Sequence, residues 1–148
     1  MSGIICAVRG GPGSQPTIEK AIHLALEVKL PLYFLYVVNL DFLSHTQSSK
    51  TSTISEQLGH MGEFILLTAQ EKAAAKGVEA QAIIQKGNVR EEIIATAAET
   101  GADYIILGMP IGDQEENEFH HERIKEFGES IQQESGAEVI LVGGSPEE

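Results

Sequence analysis

Hydrophobic positions along the chain follow two alternating rhythms. Short aliphatic runs occur at 3–9 (GIICAVR), 32–38 (LYFLYVV), 79–85 (EAQAIIQ), 103–108 (DYIILG) and 137–143 (AEVILVG), each bounded by turn residues. Their length and composition predict strands. All but one are nearly continuous in hydrophobicity, as strands covered on both faces are. EAQAIIQ alternates instead, which suits a strand nearer a sheet edge. Between the runs the period becomes helical. Ile18, Ala21, Ile22, Ala25 and Leu26 form one apolar stripe, with Pro16 placed for the first turn. Ile54, Leu58, Met61, Ile65 and Ala69 form a second, which Gly77 should end. Asn88 can cap a third helix, with Glu91 at capping-box spacing. Ile93, Ile94 and Ala97 then face the sheet, and Gly101 closes it. Ile124, Phe127 and Ile131 mark a fourth helix, closed by Gly136.

Strict alternation of strand and helix predicts an α/β fold: an open parallel sheet with right-handed crossovers and helices on both faces. No domain boundary interrupts it, so residues 1–148 read as a single domain. The Ser/Thr-rich stretch SHTQSSKTST (44–53) is the expected long, mobile connection, and GGSPEE a short tail. In open sheets of this kind ligands bind beyond the carboxyl ends of the strands, where neighbouring connections leave in opposite directions. A strand order 3-2-1-4-5 puts that crevice between the first and fourth strands. The loops that follow those two, RGGPGSQP (9–16) and GMPIG (108–112), are the glycine-rich ones. Glycines after strands are often mere turn-makers, but both loops meeting at one crevice favours a site.

Charge narrows the ligands. The chain carries 22 acidic and 10 basic residues, a formal net charge of −12. Nucleic-acid binding needs clustered Lys and Arg, and none is present; an anionic membrane is disfavoured for the same reason. The apolar stretches are too short to span a bilayer, and no secretory leader precedes them. The single cysteine, Cys6, lies in an apolar strand and reads as a buried, inert thiol. These features predict a soluble, cytoplasmic protein.

Short motifs exclude more than they assign. GGPGSQ is not a full G-x-G-x-x-G, and no G-x-x-x-x-G-K-[ST] occurs. The adjacent His120 and His121 of HHER project about 100° apart on a helix and do not form a metal pair. They read as a solvated helix start, and no metal site is expected. The acidic run Asp113–Glu118 reads as a solvated loop. RGGPGS (9–14) is faintly similar to the S-G-G-x-D-S loop of adenylating ATP pyrophosphatases, with Arg9 and Gly13 replacing the first Ser and the Asp.

Over nearly its whole length the chain resembles the universal stress protein family. IICAVRGGPGSQPTIEKAIHLALEV looks like that family's opening strand, loop and helix, and LYFLYVV like its second strand. QKGNVREEIIATAAETGADYIILG is the most specific likeness. The resemblance implies five strands in the order 3-2-1-4-5 and a dimeric protein. Nucleotide-binding members carry glycine, two residues, glycine, nine residues, glycine, then Ser or Thr after strand 4. Here three residues separate Gly108 from Gly112 and fifteen separate Gly112 from Gly128; Glu129 follows, with Ser130 one place late. Arg9 stands where such members tend to end strand 1 in Asp.

The candidate nucleotide contacts are therefore Arg9, Gly10, Val37, Gly108 and Gly112, with Gly128 and Ser130 completing a phosphate turn. Glu129 and the acidic run oppose a polyphosphate, whereas Arg9 could hold phosphate bidentately. His120, His121, Arg123 and Lys125 add some positive character. This balance disfavours tight ATP binding and leaves AMP, another small anion or an uncharged ligand; Mg would accompany a polyphosphate. No cofactor is required. The favoured reading is a binding or signalling module without turnover, using 109–127 and 39–53 as recognition surfaces. The alternative is a nucleotide-hydrolysing or adenylating enzyme in the same crevice. Finally, the last strand would be an edge with little charge to protect it. A symmetric homodimer through Val139, Ile140, Leu141 and Val142 is expected.

Overall fold

The computed structural model describes residues 3–8, 15–38, 50–108 and 114–142, with side chains described from Glu56 in the second helix and from Lys125 in the fourth. The elements run β1 (Ile4–Ala7), α1 (Gln15–Val28), β2 (Leu32–Val38), α2 (Lys50–Ala75), β3 (Ala80–Lys86), α3 (Val89–Thr100), β4 (Tyr104–Gly108), α4 (Gln114–Ser135) and β5 (Glu138–Val142). The strands form one parallel sheet in the order β3-β2-β1-β4-β5, as expected.

Period-two burial sends alternate strand residues to opposite faces. Ile4, Cys6, Phe34 and Ile106 pack against Ile18, Ile22 and Ala25 of α1 and Leu66, Ala69 and Ala73 of α2. Ile5, Leu35, Ile105 and Leu107 pack on the other face against Ile93 and Ala97 of α3 and Ile131 of α4. Helices thus cover both faces, α1 and α2 on one, α3 and α4 on the other. The alternating strand β3 is indeed an edge, with Gln81 and Ala82 exposed.

Local chemistry fixes the helix ends. Asn88 accepts from the Glu91 N–H at 3.1 Å, satisfying a donor that the first turn cannot. Gly101 ends α3 at φ 67°, and its N–H bonds the Ala97 carbonyl. Only a residue without Cβ adopts that left-handed geometry cheaply.

Four expectations need correction, the first being Leu26, which was placed in the apolar stripe of α1 and is 46% exposed. α2 begins at Lys50, inside the stretch expected as linker. Its buried face runs through Gly62, Leu66, Ala69 and Ala73, whereas Met61, placed in the predicted stripe, is 54% exposed. The side chain of Ile54 lies outside those described. α4 begins at Gln114, so the backbone from Glu115 through the HHER segment is helical rather than loop and helix start. Glu, Gln, Lys and Arg are good helix formers, and Gly and Pro are absent from 113–127. Acidic residues in its opening turn also suit the helix dipole. Residues 39–49 and the 143–148 tail lie outside the described residues.

Candidate functional site

The crevice depends on strand pairing. β1 and β4 are hydrogen-bonded neighbours, with Ile4, Ile5 and Cys6 registered on Tyr104, Ile105 and Ile106. β1 leads to α1 on one face, and β4 leads to α4 on the other. Two adjacent strands whose continuations part to opposite faces leave a gap at their carboxyl ends.

Its described walls are small and tightly built. Val8 at the end of β1 is 3% exposed, and its N–H bonds the Leu35 carbonyl at 2.9 Å. Across the gap, a Cβ on Gly108 would stand 2.5 Å from Thr17 Oγ1 in the first turn of α1. Glycine therefore lets the end of β4 approach the start of α1. Thr17 is itself buried, and its carbonyl lies 3.8 Å from Cys6 Sγ. Burial pushes the Cys6 thiol well above its ordinary range, so it stays protonated and plays no nucleophilic part. The neighbouring Gln15, first residue of α1, has its Oε1 buried without a hydrogen-bond partner among the described residues. Neither Thr17 nor Gln15 was among the predicted site residues. A polar residue directly preceding the Ile18 stripe was the available signal.

The other predicted contacts are distributed unevenly. Val37 is half-buried near the end of β2, on the α3/α4 face, paired with Gln85 of β3. Arg9, Gly10 and Gly112 lie outside the described residues. Gly128 does not form the anticipated turn. It lies within α4, where its N–H belongs to the helical ladder, and it packs over β5: an added Cβ would meet Val139 Cγ1 at 3.2 Å and Leu141 Cδ2 at 3.5 Å. Ser130 follows in the same helix, and its Oγ accepts from Arg90 Nε at 2.8 Å. Arg90 also pairs with Glu134, clasping the start of α3 to α4. No sequence signal links Arg90 to Ser130, 40 residues away, or to Glu134 one turn further on. Among the described residues no cluster of His, Cys, Asp or Glu is arranged to hold a metal ion, and no helix is long and apolar enough to cross a membrane.

The fold and crevice define a doubly wound α/β domain whose connections part at the sheet's switch point, between β1 and β4. The chain belongs to the universal stress protein family, whose model matches residues 1–112. It is 30% identical over 113 residues to universal stress protein YxiE of Bacillus subtilis, covering 71% of this chain and 76% of that protein. A crystal structure of a universal stress protein in complex with cAMP superposes with a TM-score of 0.71 at 15% identity, covering 97% of this chain and 98% of the other. A universal stress protein family protein from Arabidopsis thaliana with AMP bound gives 0.63 at 16% identity, covering 99% and 94%. At these identities the two structures share the fold. The matched family stretch stops just before α4, so α4 and β5 rest on the structural likeness.

Proposed function

We propose that this chain is a cytoplasmic binding or signalling module of the universal stress type. It holds a small ligand, such as an adenine nucleotide, beyond the ends of β1 and β4, and it carries out no turnover. The observation that supports this most is the parting of α1 and α4 from two paired strands, with Gly108 allowing the close approach there. The bound cAMP and AMP in proteins of the same fold support the ligand class. A monophosphate is favoured over ATP. The chain has net charge −12, Gly128 sits in helical backbone, and Ser130 is engaged by Arg90. Each makes a polyphosphate harder to hold. Arg9 is the phosphate partner in this reading, with Gly10 and Gly112 as backbone donors and Val37 as an apolar wall. A homodimer through β5 completes it, since the uncharged run Val139–Val142 ends the sheet with β4 as its one strand partner among the described residues.

The test is to denature freshly purified protein and identify the small molecules released, alongside phosphate release from Mg-ATP. Recovered AMP or a related nucleoside monophosphate, with no phosphate release, is the expected outcome. Magnesium-dependent phosphate release abolished by Arg9→Glu would replace the module with an enzyme.

A further inference from the structure

The outer edge of the sheet carries a contact that the crevice does not use. The Glu138 N–H points inward to β4, bonding the Asp103 carbonyl at 2.9 Å. Alternation along the strand therefore turns the amides of Val139 and Leu141 outward, away from β4. One of them is already occupied: the Val139 N–H donates to Gln132 Oε1 of α4 at 3.0 Å. Beside this bond Lys125, Gly128, Glu129, Gln132, Val139 and Leu141 line a groove of about 180 Å³. Gly128 gives the groove its depth, because a side chain there would fill the space over Val139 and Leu141.

We propose that Gln132 is a reversible cap on the β5 edge that sets how tightly two copies of this chain pair. The inference rests on the reading of β5 as the edge where copies meet. A second copy is the occupant that the edge itself suits. In an antiparallel pair centred on Ile140, Val139 of each copy faces Leu141 of the other. Both outward amides of each strand then find carbonyls. The groove rim offers the exposed Lys125 and Glu129, one charge of each sign, which a two-fold interface can match. Such pairing needs the Val139 N–H, so Gln132 must first let go in both copies. The bonds surrendered are two exposed ones, and removing the cap should tighten pairing on the order of tenfold.

Sedimentation equilibrium on the full chain tests this with Gln132→Ala, which removes the side chain, and Gln132→Met, which keeps its bulk without the acceptor. Both should tighten self-association about tenfold, and both should speed hydrogen exchange at the Val139 amide in dilute protein. Unchanged or weaker association in both variants overturns the role of Gln132. Ile140→Cys separates that failure from failure of the edge reading. Adjacent residues at the centre of such a pair lie within disulfide range, and the buried Cys6 does not compete. Cross-linked dimers with no effect of Gln132 substitution sink the cap alone. Absence of cross-linking, with a monomeric chain throughout, sinks the edge reading and the cap together.

Discussion

Cys6 and Gly108 each answer to the space around a single residue. Cys6 is fully buried, and its thiol is held protonated by desolvation. An exposed thiol in the unfolded chain ionises near pH 8.5. Above that pH the unfolded state binds fewer protons than the folded one, so stability falls as pH rises, by up to about 1.4 kcal/mol per unit. Urea unfolding between pH 7 and 10 should show this decline, and Cys6→Ala should lack Cys6's share of it. Native protein should also resist thiol reagents until it unfolds. At Gly108 the constraint is steric. Gly108→Ala drives a methyl toward the buried Thr17 and should cost about 1–3 kcal/mol, read as a lower denaturant midpoint. A cost near zero would mean that the start of α1 yields freely.

Among the elements, α3 is the most completely specified locally. Asn88→Ala removes its cap and should destabilise by about 1 kcal/mol. Arg90→Ala should cost less, about 0–1 kcal/mol, because Arg90 and Glu134 are part-exposed. Caps and strands were legible in the sequence because each is written in a few adjacent residues: Asn88 with Glu91, Gly101 after Thr100, LYFLYVV for β2. The buried face of α2 was legible only in part, Ile65 and Ala69 packing inward as expected. Counting only aliphatic side chains selected Met61, whereas the helix turns Gly62 to the sheet. A Cβ on Gly62 would lie 2.4 Å from the Tyr36 ring, so that absent side chain sets the packing. The start of α4 was misjudged because charge was taken as a loop signal, although Glu and Gln also favour helices.

For the whole molecule, the parallel sheet and its two-faced covering could be read from alternating periods, since a buried parallel sheet leaves a simple pattern, whereas the strand order came from the family resemblance. The parting of α1 and α4 from the paired strands β1 and β4 followed from that order, while the glycine-rich loops expected there lie outside the described residues apart from Gly108. The positions of Gly128 and Ser130 did not follow. Only the fold shows that they serve helix packing and the Arg90 clasp. The central claim is that the switch-point gap of this chain holds an adenine monophosphate without consuming it. Isothermal titration with AMP and with Mg-ATP tests it most directly. The account predicts a saturable AMP isotherm below about millimolar Kd, weaker binding of Mg-ATP, and AMP recovered unchanged. No heat and no thermal stabilisation by either nucleotide at several times that concentration would contradict it.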